Sequence, residues 1–491
     1  MRPFEILSCV FAASAIFVVL LAPVARRLLI LSYALLILAL GLHFGLEGAH
    51  WQLIPLYLSG LLLLVLALTG RWLPRWASTV TVALCSLMLV ASLVLSWLMP
   101  MFQFPKPSGQ YAVGTRIFHL VDNNRAEENG PSPSGNHELM VQAWYPAEPT
   151  VPNRRAVYQR RKEVTDRASY RSVLRTNAFQ DAPIRAGGPY PLLIYNPGWN
   201  GERTEGTYQM EELASHGFIV VAVDHTFFGG LVEFPDGRVA DSRNAPPIGS
   251  FEHSSVAEQW ALGGKYVRIE AQDDVFVLDQ LEAMNRDPSS PLFHKLDMSR
   301  VGAMGFSIGG AAAVQMAWQD PRIKAVLNMD GWEFGDVART GLAKPMMVIY
   351  EDKRGVMPGR PKETAAPGGQ PSVESMNWQF SLEDYANVTN SMRQHGGFLL
   401  FIAGTHHVDF TDRSLFSPIH SWTGRGSLDP LRVHTIVNAY TQAFFSHYLY
   451  GTNEPILEAQ PGNPGFGKAV PFKEVEYQHF DGVSPPKAHQ P

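Results

Sequence analysis

The chain has 491 residues, of which 46% are apolar and only 17% charged, with a formal net charge of −5; an ordinary soluble domain carries about 25% charged positions. The deficit is local, because residues 1–104 hold just seven of the 85 Lys, Arg, Asp and Glu: Arg2, Glu5, Arg26, Arg27, Glu47, Arg71 and Arg75. This distribution excludes a wholly soluble chain, a disordered or collagen-like one, and a polybasic nucleic-acid binder, so no nucleic-acid partner is expected.

Four apolar stretches come first, at 4–24, 28–46, 51–69 and 77–99. Each is close to the roughly 20 residues that a helix needs to cross a hydrocarbon layer about 30 Å thick. They predict a membrane domain over 1–104 with four transmembrane helices and the bilayer as partner. The connections 25–27 and 70–76 carry Arg26, Arg27, Arg71 and Arg75, whereas 43–50 carries only Glu47. Positive loops stay in the cytoplasm, which places everything after Met99 on the outer side. Trp51, Trp72, Trp76 and Trp97 are the expected interface anchors. No span has an ionisable residue near its middle, so an anchor is expected rather than an ion path. The predicted location is a bacterial inner membrane, with the remaining chain periplasmic or extracellular. Both cysteines, Cys9 and Cys85, lie in this apolar part, which removes disulfides, thiolate catalysis and cysteine-bound zinc from the rest.

Residues 105–491 read as one catalytic domain of α/β class. A hairpin is expected from 116–122 and 139–145, on either side of a Gly, Pro, Asn and Ser-rich connection. Then come short, nearly continuous apolar runs at 191–195, 218–223, 300–304, 325–329, 345–350 and 397–402, the pattern of strands buried on both faces. Helical patterns over 207–216, 254–286 and 309–319 alternate with them, which predicts a mostly parallel sheet flanked by helices. The segment 352–379, rich in Pro, Gly and charge, is expected to be an inserted surface loop or cap. SLED at 381–384 is a helix-start signal leading into 385–394. A last helix is expected at 431–450, and the proline-rich 460–491 as an extended tail.

The sequence MGFSIGG at 304–310 sets Gly305, Ser307 and Gly309 in a Gly-x-Ser-x-Gly pattern, after a strand and before a helix. This is the setting of a nucleophile elbow, in which small flanking residues allow a sharp turn and leave the hydroxyl exposed. A serine at its ordinary pKa needs a histidine to take its proton and a carboxylate to orient that histidine. In the α/β-hydrolase fold the order is Ser, acid, His. His406 and His407 follow the run 397–402 and are both candidates; for the acid, Asp330 competes with Glu351 and Asp352. The histidine pair with Asp409 lacks a further cluster at metal-ligand spacing, so no metal or cofactor is expected. The Ile308 N–H, next to the nucleophile, is the expected first oxyanion donor. Asp224, His225 and His216 read as structural polar residues, and NVT at 387–389 fits a glycosylation acceptor.

The segments NPGWNG at 196–201, ASHGFIVVAVDH at 214–225, GFSIGGAAAVQ at 305–315, NMDGW at 328–332 and AGTHHVDFTD at 403–412 together resemble the plasma-type platelet-activating factor acetylhydrolases, also called lipoprotein-associated phospholipase A2. The likeness runs from about residue 111 to about 451. The resemblance implies an α/β-hydrolase fold and selects Asp330, from an L-D-x-W segment, and His407, from a G-S-x-H segment. It also implies the Trp199 N–H as second oxyanion donor, with Pro197 standing where that family has a histidine. The implied activity is calcium-independent cleavage of short or oxidised acyl esters of phospholipids, so a lipid or small ester is the expected substrate. A carboxylesterase, a dienelactone-hydrolase-like or polyester hydrolase, and an acyltransferase on the same triad are the alternatives; a receptor that retains the fold without activity is a further one.

Overall fold

The computed structural model describes residues 1–21, 26–69, 74–130, 135–148, 154–244, 255–357, 359, 373–458 and 471–482. Arg71 and Trp72, half of 352–379 and most of 460–491 lie outside them. The chain forms two compact units.

The first unit comprises Met1–Gln103 together with Val157–Arg175 and Leu415–Thr423. Its helices α1 (Pro3–Leu21), α2 (Arg26–Leu42), α3 (Ile54–Thr69) and α4 (Arg75–Leu98) belong to four segments long and apolar enough to cross a membrane. Small residues such as Ala12, Ala15 and Cys85 are buried between helices, while Leu38, Leu68 and Leu87 stay more than half exposed, the reverse of a water-facing surface. Three of the seven early charges pair at one end of these helices. The Glu5 carboxylate accepts from Arg2 Nε at 2.5 Å and lies 2.9 Å from His50 Nε2, and Glu47 accepts the Phe4 N–H at 2.9 Å and meets His43 Nδ1 at 3.0 Å. Pairing lowers the cost of putting these groups in an apolar setting. The later segments join this unit through Trp51, whose indole N–H donates to the Arg167 carbonyl at 2.9 Å, and through Phe416, stacked on Phe102 at 5.8 Å.

The second unit is an α/β-hydrolase fold built on an 11-stranded sheet. In chain order the strands are β1 (Ala112–Ala126), β2 (Asn136–Ala147), β3 (Arg155–Val157), β4 (Arg175–Gln180), β5 (Tyr190–Asn196), β6 (Ile219–Asp224), a separate hairpin of β7 (Leu231–Glu233) and β8 (Val239–Asp241), then β9 (Leu296–Phe306), β10 (Ile323–Met329), β11 (Met346–Tyr350), β12 (Gly397–Ile402) and β13 (Val475–Phe480). The sheet order is β13-β12-β11-β10-β9-β5-β6-β2-β1-β4-β3. From β12 to β6 every neighbouring pair is parallel. β1 and β2 form the expected hairpin, with Arg116 opposite Ala143 and Leu120 opposite Leu139.

Each expected parallel strand is present within a few residues of its apolar run. Every residue of β5, β6, β11 and β12 is buried, as strands covered on both faces require. Helices α5 (Thr207–Ser215), α6 (Val256–Arg286) and α7 (Ile308–Gln319) cover the sheet. α6 opens on a reciprocal cap, with the Ser255 hydroxyl taking the Glu258 N–H and Glu258 taking the Ser255 N–H.

Two expectations change. The helix placed at 385–394 begins much earlier and runs over Val373–His395. Phe380 is fully buried there, packed on Trp260 and Trp332 at 4.4 and 4.7 Å, and this burial outweighs the SLED cap signal. Asp384 of that signal instead accepts the Glu333 N–H at 2.7 Å and the Tyr350 hydroxyl at 3.0 Å. The Asn387 motif lies inside the same helix, with Thr389 buried and its hydroxyl on the Tyr385 carbonyl. The tail adds β13 antiparallel to β12.

Asp224 ends β6 in a buried ion pair. It accepts the Arg203 N–H at 2.6 Å and also the Arg203 guanidinium, and the two residues are 1% and 2% exposed. Removing one member of such a pair leaves an uncompensated buried charge. Asp224→Ala is therefore expected to cost about 3–5 kcal/mol, read by urea unfolding of the full chain in detergent; a loss below about 1 kcal/mol would show the pair to be dispensable.

Candidate active site

The site begins where β9 passes into α7. Ser307 stands between them with φ 56° and ψ −129°, a strained conformation for any residue with a Cβ. Its neighbours hold it there: Ser307 N–H donates to the Met329 carbonyl at 2.8 Å, and Gly310 N–H to the Ser307 carbonyl at 2.9 Å. Packing is too close for side chains at the flanking glycines. A Cβ on Gly305 would lie 2.3 Å from the Gly309 carbonyl oxygen, and one on Gly309 would lie 2.2 Å from that of Pro197. Gly310 and Ala311, both buried, continue α7 against the sheet.

His407 and Asp330 complete a chain of contacts from Ser307. His407 Nε2 is 2.9 Å from Ser307 Oγ, and His407 Nδ1 is 2.5 Å from Asp330 Oδ2. Asp330 follows β10 at φ 57°. Its N–H donates to the Ile349 carbonyl at 2.8 Å and its Oδ1 accepts the Glu351 N–H at 2.9 Å. The Asn328 side chain clamps the turn, donating to the Gly331 carbonyl and accepting the Gly331 N–H, each at 2.9 Å.

The competing candidates have other partners. Asp352 accepts the Gly404 N–H at 2.8 Å and pairs with Arg354 at 2.7 Å, so it steadies the loop that carries His407. His406 has an exposed side chain, and its N–H donates to Asp409 at 2.8 Å. Asp409 also accepts the Gly426 N–H at 2.7 Å; it caps the turn His407–Phe410.

The electrostatics favour a basic imidazole. Burial opposes charge on His407, but the hydrogen bond to Asp330 and the negative fields of Asp330 and Glu351 outweigh it and raise its pKa above the ordinary histidine value. Burial, reinforced by the Asp330 charge, pushes Glu351 up to about 7.

Beside Ser307 is a pocket of about 420 Å³, walled by Trp199, Ile308, Trp332, Phe334, Tyr350 and Val356. Trp199 is no core residue: it is 43% exposed and meets Tyr266 edge to face at 4.4 Å. The Ile308 N–H opens α7 and so has no intrahelical acceptor. The Trp199 N–H has no acceptor among the described residues. Sequence reasoning missed Phe334, Tyr350 and Val356 as wall residues, because an apolar residue at a strand end carries no mark of what it faces. It also missed the buried Glu205 (below).

Two family models match. One, described as platelet-activating factor acetylhydrolase, isoform II, covers residues 98–227, which include the Pro197–Trp199 loop. The other, PET hydrolase-like, covers 268–367, which include Ser307 and Asp330. Relatives include a probable 1-alkyl-2-acetylglycerophosphocholine esterase of Arthroderma benhamiae, 27% identical over 52% of this chain and 65% of its own length. The platelet-activating factor acetylhydrolase of Cavia porcellus is 26% identical over 50% of this chain and 60% of its own. The chain is similar to the platelet-activating factor acetylhydrolases within the α/β-hydrolase superfamily. It spans less than two thirds of the length of these curated relatives. A solved structure, the ferulic acid esterase from Streptomyces cinnamoneus, superposes with TM-score 0.58 and 29% identity, over 76% of this chain and 98% of that one. The same α/β-hydrolase scaffold therefore carries this chain and that esterase.

Glu351→Gln removes a negative charge that favours protonated His407, so the imidazole pKa is expected to fall. The pH midpoint of diethylpyrocarbonate modification at His407, mapped by mass spectrometry, measures it; an unchanged or raised midpoint would remove Glu351 from the electrostatics of the site.

Proposed function

We propose that this protein is a membrane-anchored serine ester hydrolase. Ser307 Oγ attacks the acyl carbon while His407 Nε2 takes its proton. His407 then returns that proton to the leaving alcohol, and Asp330 orients the ring and stabilises its charged form. The Ile308 and Trp199 N–H groups receive the tetrahedral oxyanion, a contribution worth a few kcal/mol in sites of this kind. Water, deprotonated by His407, releases the acid and restores Ser307. The single observation that carries this reading is the run Ser307 Oγ to His407 Nε2 at 2.9 Å and His407 Nδ1 to Asp330 Oδ2 at 2.5 Å, opening into an apolar pocket.

The substrate class we infer is a phospholipid-like ester with a short or oxidised acyl chain. The match to the platelet-activating factor acetylhydrolase model supports it, as do the apolar pocket walls and the four apolar helices, which would keep the enzyme at a bilayer where such esters concentrate. The arginines at 26, 27, 71 and 75 favour an outward-facing catalytic unit. A second reading, a general carboxyl or polyester esterase, is favoured by the PET hydrolase-like match over 268–367, and by the cutinase est1 of Thermobifida alba, 24% identical over 35% of this chain and 46% of its own.

Rates on a short-acyl phospholipid and on p-nitrophenyl butyrate separate the two, the first reading predicting the higher kcat/KM on the phospholipid. In either assay Ser307→Ala and Asp330→Asn are expected to lower kcat by about 10³- to 10⁴-fold, and Asp352→Asn by about tenfold. Retained activity in Ser307→Ala would overturn the mechanism, and equal losses in the two Asp variants would overturn the choice of acid.

A further inference from the structure

The loop that leads from β5 towards α5 is held by several hydrogen bonds. The Asn196 side chain donates to Asp274 at 2.7 Å and lies 3.1 Å from His225 Nε2. Asn200 N–H donates to the Phe228 carbonyl at 3.3 Å, and the Gly201 carbonyl accepts the Gly230 N–H at 3.0 Å. Pro197 has no N–H to place. Two N–H groups follow Pro197 directly, those of Gly198 and Trp199. The first is taken by a side chain from the loop's far end: Glu205 Oε1 accepts the Gly198 N–H at 2.5 Å. Glu205 is 2% exposed, and its Oε2 comes so near Gly201 that a Cβ there would lie 2.3 Å away.

Peptide planarity turns this into a statement about direction. The Gly198 carbonyl and the Trp199 N–H share one trans peptide and therefore point in opposite directions. The carbonyl is held by the Gly201 N–H at 2.8 Å, which aims the Trp199 N–H the other way. Among the described residues, the hydrogen bond that fixes the peptide just before it comes from Glu205. We propose that Glu205 is the positioning residue of the oxyanion loop: its carboxyl holds the Gly198 N–H and so keeps the Trp199 N–H directed at the carbonyl oxygen of an ester on Ser307. This rests on the Ser307 hydrolase reading above.

The same residue reaches the histidine side of the site. Its main-chain carbonyl accepts the Asp412 N–H at 2.7 Å, and the Asp412 carboxylate takes the Thr207 N–H at 2.9 Å. Glu205 thus joins the segment after His407 to the loop that bears Trp199. Burial pushes its pKa up to about 8, so at neutral pH the carboxyl is mostly protonated, and what the loop requires of it is an oxygen acceptor rather than a charge. An amide should replace it in that role, whereas a shorter or apolar side chain should not.

Full-length protein in detergent carries the test, with p-nitrophenyl butyrate as substrate and phenylboronic acid as a mimic of the tetrahedral adduct. Glu205→Leu removes the acceptor and Glu205→Asp withdraws it by one methylene. For both, kcat should fall by about 10²-fold with KM little changed, and boronate affinity should fall in parallel. Glu205→Gln keeps the oxygen and should recover most of the lost kcat. If Glu205→Leu does not fold, the Asp and Gln pair decides. A Gln variant as impaired as Asp, or an Asp variant with wild-type kcat, would overturn the proposal, as would losses confined to KM. Ser307→Ala is run alongside. If it hydrolyses the ester as wild type does, the Ser307 reading itself fails; if it is inactive while Glu205→Asp is unimpaired, only the role of Glu205 fails.

Discussion

A strand-to-helix turn with no room for two side chains governs the site. At 305 and 309 any Cβ would fall within about 2.3 Å of a backbone oxygen, well inside contact distance. That close approach brings α7 down onto the Pro197 loop and puts Ser307 in a backbone conformation it would not adopt alone. The cost is met by the strands on either side, β5 buried throughout and β9 and β10 buried over their last five residues, whose packing over-determines the turn. From it follow the exposed hydroxyl, the free N–H at the start of α7, and the nearness of the Trp199 loop, which has to cross just above Gly309.

Around that turn the protein invests buried polar groups rather than surface charge. Asp330, Asp352, Asp409 and Glu205 each accept a backbone N–H within the loops that carry the site. Side chains of this kind fix loops that have no regular hydrogen-bond ladder of their own. They also bias the chemistry, because the carboxyl groups facing His407 raise its basicity. One level of organisation therefore supplies both shape and electrostatics. Behind it, His225 joins Asn196 to Asp273 in a buried network at the root of the same loop.

Much of this was legible from residues alone, for a physical reason. Strands buried on both faces must be continuously apolar, so 191–195, 218–223 and 397–402 announced themselves, and the elbow motif marked the turn between two of the elements. β13 escaped because Glu476 and Gln478 alternate with its buried Val475 and Tyr477 in a proline-rich tail. The acid could not be chosen from position, since Asp330 and Asp352 both follow neighbouring parallel strands; what separates them in space is that Gly404 claims the carboxylate of Asp352. Glu205 was invisible for a similar reason: in a run of polar residues a buried acceptor looks like a solvated side chain, and only its partner reveals it.

Catalysis by this triad requires Ser307 to be the one activated nucleophile. Treating the full chain with a fluorophosphonate, digesting it and locating the phosphonyl group by mass spectrometry examines that without reference to any chosen substrate. The expected result is a single adduct on the peptide that contains Ser307, with its formation suppressed in His407→Ala. An adduct on a different residue, or labelling of Ser307 that proceeds equally well without His407, would contradict it.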